Sequence, residues 1–274
     1  MKTAVVTAVR GRASHLRNQL DGLARSTVRA DRHVLVAVDD DDVARAVPPK
    51  DEAVHVIPFH STGRRLPMAA ARNHGARAAI DDGAELLIFL DVDCIPAPGL
   101  VGGYRNVAQH PDHRSAVLCG PVTYLPAPGP TGYDLAQLEA ETNPHPARPA
   151  PGPDEVVVGT EYELFWSLSF AVTAAVWHAI GGFCEQYTGY GGEDTDFAQK
   201  AAARDITMRW VGAAHAFHQH HPISDPPIEH LHDIVVNALI FHERWGWWPM
   251  QGWLDAFATM GLIDIDHDGR PRVR

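Results

Sequence analysis

The chain has 274 residues, 45% of them hydrophobic and 21% charged, enough to bury one large domain with or without an appendage. A formal net charge of −11 with no basic block argues against a nucleic-acid partner, and no apolar run reaches the roughly 18 residues of a membrane span. Cys94, Cys119 and Cys184 are odd in number and far apart, which fits reduced thiols in a cytoplasmic protein and not a disulfide framework.

Short apolar runs and helical segments alternate through the first 120 residues. The N-terminal "MKTAVVTAVRGR" is too short an apolar run for a leader and reads as a first buried strand over 3–9. Further strands are predicted over 33–38, 54–59, 86–90 and 116–120, with helices over 14–26 and 67–81. This alternation predicts a largely parallel α/β sheet, in which ligands sit beyond the carboxyl ends of strands. Residues 121–153 are proline-rich around a helical island at 134–141, and read as a long surface loop or lid. A helix over 174–180, a helix over 195–203 and a strand over 206–211 follow. The last forty residues have a helical texture rich in tryptophan.

Three stretches carry chemistry. In "LLIFLDVDCIP" a buried strand ends on Asp91 and Asp93, which strand alternation places on one face. Two adjacent carboxylates repel unless a cation relieves them, and Mn²⁺ or Mg²⁺ bridging to a phosphate does so; a plain polar turn made by Pro96 and Pro98 is the other reading. An acidic surface is compatible with a phosphorylated ligand when a metal supplies the positive charge. In "GYGGEDTDF" the glycines Gly191 and Gly192 permit close approach to a ligand, and Glu193 and Asp194 open a helix whose dipole favours anions. Asp194 or Thr195 can equally serve there as a simple N-cap. In "AHAFHQHH" four histidines, His215, His218, His220 and His221, fall within seven residues, suggesting metal ligation or a histidine-rich surface loop. His218 and His220 share a strand face.

The ordered set "FLDVDCIP", "GGF…YTGYGGEDTDF" and "AFHQHHP" resembles inverting glycosyltransferases of the GT-A fold, in family 2 or its neighbours, with likenesses to chondroitin-polymerase-type domains and the galactosyltransferase group. The resemblance covers roughly 1–222 and implies a Rossmann-like, mostly parallel central sheet flanked by helices. It implies Asp91 and Asp93 at a divalent metal (Mn²⁺ or Mg²⁺) that bridges the diphosphate of a nucleotide-sugar donor, with His218 completing the shell. It implies Asp194 as the base that activates a carbohydrate or other hydroxyl acceptor, with Glu193 as its neighbour. Thr7, Val9 and Arg10 would hold the nucleotide, Asp39 its base, and Arg72 and Asn73, in "AAARNHG", the diphosphate or sugar. The bottom-up alternative for Arg72 is an ion pair with Asp81 or Asp82.

The sequence departs from the family in "DDDD" at 39–42, in the proline-rich lid, and in a C-terminal extension over 223–274 containing "RWGWWPMQGW". Trp247 and Trp248 are acceptor-stacking candidates there, as are Trp245 and Trp253, against the commoner use of tryptophan as core. The organisation expected is a catalytic domain over 1–222, built of a nucleotide-sugar half (1–120), the lid (121–153) and an acceptor half (154–222), with a helical, aromatic-rich extension packed on it. A metal-dependent hydrolase or nucleotidyltransferase, or a non-catalytic nucleotide-sugar-binding module, are the competing readings. The oligomeric state is not legible.

Overall fold

The protein is described by a computed structural model, covering all residues except 48–51, 62 and 64. In chain order the first part of the chain runs β1 (Thr3–Val9), α1 (Ala13–Ala24), β2 (Arg32–Val38), α2 (Val43–Ala46), β3 (Val54–Phe59), α3 (Met68–Asp81), β4 (Leu86–Leu90), β5 (Cys94–Pro96), α4 (Leu100–Gln109), β6 (Val117–Cys119) and β7 (Val122–Tyr124). After the proline-rich segment come β8 (Val156–Gly159), β9 (Ser169–Thr173), α5 (Ala174–Ile180), α6 (Glu193–Ala202), β10 (Met208–Val211) and β11 (Ala216–His218). The chain closes with α7 (Leu231–Trp245), α8 (Gln251–Thr259), β12 (Ile263–Ile265) and β13 (Pro271–Val273). Among the described residues no helix is long and apolar enough to cross a membrane.

The main sheet has eight strands in the order β3-β2-β1-β4-β9-β6-β10-β8. β1 is parallel to β2 and β4, and β2 to β3, while β9 runs antiparallel between β4 and β6. All seven residues of β1 and all five of β4 are buried, because helices cover both faces. A strand enclosed on both sides has no polar face to alternate, hence the continuous Val, Ala, Leu and Ile runs. On one face α3 approaches so closely that a Cβ at Gly75 would meet Val6 and Val36 at 2.6 and 2.8 Å, so only glycine fits. That face also carries a stack of rings from Phe89, Phe170, Phe183, Phe197 and Trp177; Phe89 and Phe170 lie 4.6 Å apart and nearly parallel. The opposite face is filled by α4, with Tyr104 fully buried.

A second, three-stranded sheet, β5-β11-β7, sets the site. Its middle strand β11 pairs His218 with Cys94 on one side and Tyr124 on the other. It thereby draws the end of β4, the histidine run and the start of the proline-rich segment together.

The mostly parallel α/β fold is as expected, and the strands over 3–9, 54–59 and 86–90 coincide with it. Two expectations are corrected. The island at 134–141 holds no α-helix: it makes a turn and then a 3-10 turn over Leu138–Glu141, between proline-rich flanks. The extension is not wholly helical: after α8 it ends in a β-hairpin whose turn uses Gly269 at φ 77°.

The extension is tied to the rest by a buried charge. Asp196, on α6, is completely buried and its Oδ1 accepts from Arg244 Nε at 2.6 Å and Trp245 Nε1 at 2.8 Å, both at the end of α7. Tyr187 donates to the same oxygen at 3.3 Å. Removing the arginine strands a carboxylate away from water, so Arg244→Ala is expected to cost about 3–5 kcal/mol of stability. Urea denaturation measures this, and a loss below about 1 kcal/mol, the scale of an exposed pair, would show that the ion pair is a surface ornament.

Candidate active site

The Asp91–Asp93 stretch is a turn and not strand. β4 stops at Leu90, and the chain folds back so that Cys94 N donates to Asp91 O at 2.8 Å. The strand-alternation argument therefore does not apply, and other contacts hold the two carboxylates in place. Gln19, fully buried on α1, donates through Nε2 to Asp91 O at 2.7 Å and Cys94 O at 3.1 Å. Its own Oε1 accepts from Thr7 Oγ at 3.1 Å, and Thr7 Oγ lies 3.1 Å from His33 Nε2. From the other side Gln219 N donates to Asp93 O at 2.7 Å, while its side chain bonds His15 O and Asn18 on α1. Two glutamines thus brace one turn.

The two acids then part company. Asp91 accepts from Arg72 Nη2 at 2.8 Å, and the same guanidinium reaches Glu193 at 3.3 Å while lying over the Phe183 ring. Burial raises the Asp91 pKa, with the charge of Asp93 adding to it and Arg72 opposing. Asp93 instead faces His218 Nε2 and His221 Nε2, each at 3.6 Å, and Arg12 Nη1 at 3.7 Å. Ligand atoms of Asp93, His218 and His221 lie within 4.8 Å of one another, and Asp93 Oδ1 is buried without a hydrogen-bond partner. Burial lowers the His218 pKa, favouring the neutral imidazole that binds metals. His215 is turned away onto Thr123 Oγ, and the His220 backbone N–H donates to the Tyr133 hydroxyl. Of the four histidines, the fold converges His218 and His221 on Asp93.

Across from this turn, Gly191 and Gly192 have φ 88° and 92°, so the loop before α6 turns in a way side-chain-bearing residues resist. Asn237 of α7 clamps it, donating from Nδ2 to the carbonyls of Thr188, Tyr190 and Gly191 at 3.1, 3.1 and 2.8 Å. Glu193 and Asp194 occupy the first turn of α6, where the helix dipole favours negative charge. Even so, burial and then the adjacent Glu193 push the Asp194 pKa up to about 7. Its Oδ1 accepts from Thr195 N at 2.8 Å. A cavity of about 490 Å³ opens here, with Asp91, Arg72, Glu193 and Asp194 on its polar side and Tyr124, Trp166, Tyr190, Trp247 and Trp253 supplying rings.

Several candidates sit elsewhere. The side chains of Thr7 and Val9 are 1% exposed and closed into the core, so they present nothing to a nucleotide; continuous burial of β1 is the reason. Arg10 lies 4.0 Å from Asp39, whose carboxylate also accepts from Ser61 N–H and Oγ and is held below its usual pKa by those bonds. Asn73 exchanges hydrogen bonds with the Phe183 backbone at 2.8 and 3.0 Å and reaches Glu185, pinning α3 to the Gly181–Gly182 turn. Trp248 stacks on His242 with centroids 3.9 Å apart, away from the cavity, while Trp247 lines it. Arg72 pairs with neither Asp81 nor Asp82.

Sequence reasoning passed over Gln19, Gln219, Asn237, Asp196, Arg12, Tyr124 and Trp166. Gln219 alone had a signal, as the residue between His218 and His220 on a short strand end. The others depend on contacts distant in sequence.

The His33–Thr7–Gln19 relay makes a prediction. His33 is 4% exposed and burial lowers its pKa to about 3. The unfolded chain therefore binds a proton that the folded chain refuses, and stability rises with pH across about pH 3–6.5. Acidification should cost up to about 1.4 kcal/mol per pH unit from this group, and His33→Gln should flatten that limb. Chemical denaturation at stepped pH tests it; an unchanged slope in the variant would rule out His33 as its source.

Comparison with known proteins places these features in context. Residues 4–136 match the family model described as glycosyl transferase family 2, and residues 154–222 match the N-terminal domain of galactosyltransferase. The chain is 30% identical to validoxylamine A glucosyltransferase of Streptomyces hygroscopicus subsp. jinggangensis (strain 5008), over 87% of this chain and 58% of that protein. A homologue from subsp. limoneus is 29% identical, with 54% of it covered, so the chain spans a little over half the length of these relatives. Among solved structures it resembles GalNAc-T7 with UDP, GalNAc and Mn²⁺ (TM-score 0.62, 14% identity, 95% of this chain and 50% of that one). It also resembles residues 1–349 of S. aureus TarS in complex with UDP-GlcNAc (TM-score 0.59, 14% identity, 87% of this chain and 66% of that one).

Proposed function

From the match of residues 4–136 to glycosyl transferase family 2 and of residues 154–222 to the N-terminal domain of galactosyltransferase, we propose that this chain moves a sugar, with inversion, from a nucleotide diphosphate sugar to a hydroxyl of a ring-shaped acceptor. UDP is the favoured carrier, since neighbours of the same fold bind UDP or a UDP-sugar. The carrying observation is Asp194: a carboxylate with a raised pKa in a cavity wall shared with Asp91, whose neighbour Asp93 heads a cluster of metal-ligating atoms.

The Asp93 cluster fits a divalent ion, because a buried carboxylate oxygen there has no hydrogen-bond partner and two imidazole nitrogens accompany it. Asp93, His218 and His221 would hold it, and the mixed oxygen–nitrogen set suits Mn²⁺ better than Mg²⁺, which favours oxygen and water. When bound, such an ion supplies positive charge to the departing diphosphate.

The chain's own residues do the rest. Arg72 pairs with both Asp91 and Glu193, so a guanidinium already occupies each of them. Asp194 lacks that pairing, and its elevated pKa matches a base working near neutral pH. It accepts the acceptor's hydroxyl proton as that oxygen attacks the anomeric carbon and the bond to the diphosphate breaks on the opposite face. A single displacement of this kind inverts the centre. The rings around the cavity shield the reacting atoms from water and offer apolar faces to a sugar.

Asp194→Asn is expected to reduce turnover by at least about 10²–10⁴ with UDP affinity unchanged. Wild-type turnover should fall as pH drops below about 7, where Asp194 takes up a proton, and Glu193→Gln should shift that limb to lower pH by removing the repulsion. A limb that stays in place in the Glu193 variant would rule out Asp194 as its source.

UDP should raise the melting temperature with Mn²⁺ and not with chelator, by the equivalent of about 2.7 kcal/mol at a hundredfold excess over Kd. Asp93→Ala should abolish the shift. A UDP shift indifferent to chelator would remove the metal from the reading, and silence with every nucleoside diphosphate would remove the donor.

A further inference from the structure

The proline-rich segment 121–153 delivers one charged side chain to the interior. Arg148 is 6% exposed, and its Nε, Nη1 and Nη2 are all buried with no hydrogen-bond partner. A cation withdrawn from water without acceptors is costly unless something replaces the lost solvation. Here two indoles do: the guanidinium lies 5.0 Å from the ring centroid of Trp166 and 4.7 Å from that of Trp210. A planar, weakly hydrated guanidinium suits that slot, whereas an ammonium does not.

The two indoles differ. Trp210 is 1% exposed and fixed within β10. Trp166 is only half-buried, on the loop before β9, and lines the cavity that contains Asp194. His145, three residues from Arg148, meets the Trp166 ring edge-on, with centroids 5.0 Å apart and planes at 75°. The segment is itself fastened to β7, by the Thr123–Pro144 bridge and by His145 N donating to Val122 O at 3.0 Å. A cavity-wall indole that would otherwise sample several rotamers is thus gripped on one face and one edge.

We propose that Arg148 is a positioning residue for acceptor binding: wedged between Trp210 and Trp166, it fixes the Trp166 indole as the wall on which the acceptor's ring lies. The identity of that ring as an acceptor rests on the transferase reading. The chemistry recognised is the C–H face of a pyranose or cyclitol. The proline-rich segment then serves to carry Arg148 and His145 to the back of this wall.

The test compares wild type with Arg148→Met and Arg148→Lys. Methyl β-D-glucoside, followed by saturation-transfer NMR, is the ring probe, and UDP with Mn²⁺, followed by calorimetry, is the donor-side probe. Both variants should keep UDP affinity within about twofold and lose roughly tenfold or more in ring-probe affinity. Lysine should fail to rescue, because it keeps the charge and lacks the plane. Variants that melt earlier yet bind the ring probe as wild type does would overturn the proposal, as would a wild type that does not bind it. If neither variant folds, Trp166→Leu decides: it must lose ring-probe binding with UDP binding kept, and retention would overturn the wall assignment. A wild type that binds the ring probe and not UDP with Mn²⁺ would sink the transferase reading and leave the role of Arg148 standing.

Discussion

Everything at the site depends on how a buried turn satisfies its backbone. The carbonyls of Asp91, Asp93 and Cys94 face the interior, where an unpaired carbonyl forfeits a hydrogen bond it would have had in water. Gln19 meets that need for Asp91 and Cys94 with a neutral side-chain amide, and the backbone N–H of Gln219 meets it for Asp93, so no charge is added beside two carboxylates. A lysine or arginine at position 19 could reach the same carbonyls but would bring a positive charge beside the acids. The use of amides leaves the acids to other partners. Because Gln19 sits on α1 and Gln219 follows β11, the turn also fixes the helix after β1 relative to the small sheet.

That arrangement sorts four carboxylates by partner. Arg72, buried on α3, reaches Asp91 on one side and Glu193 on the other, spanning the two halves of the chain with one guanidinium. Asp93 is left to imidazoles and to Arg12, and Asp194 to a backbone N–H and a repelling neighbour. Carboxylates within one site thus acquire an ion pair, an oxygen without a hydrogen-bond partner or an elevated proton affinity, according to their surroundings.

The sequence made the first half of the fold readable because burial on both faces writes itself as unbroken apolar runs, as in β1 and β4. It was silent on β9, whose antiparallel place in the centre of the sheet is fixed by pairing with β4 and β6 far away along the chain. Asp194, Asp93 and His218 were legible as motifs, since each sits in a short run of acids or histidines beside a glycine pair, a strand end or another histidine. Thr7, Asn73 and Trp248 share one feature that the sequence does not show: each is a polar or aromatic residue that suits a ligand, and each is bonded to or stacked on a neighbour. Arg148 shows the reverse, a residue in a segment that read as surface but whose charge is buried between two rings.

The ties from α6 to α7 bear on how such a protein can diversify. Trp247, Trp253 and Met250, which shape one wall of the cavity, ride on the same stretch that supplies Asn237 to the glycine loop and Arg244 and Trp245 to Asp196. Wall and anchor are therefore inherited together. Exchanging residues 231–259 as one cassette would replace that cavity wall together with its three anchoring side chains. A cut inside that cassette would separate the cavity wall from the side chains that hold the glycine loop and α6.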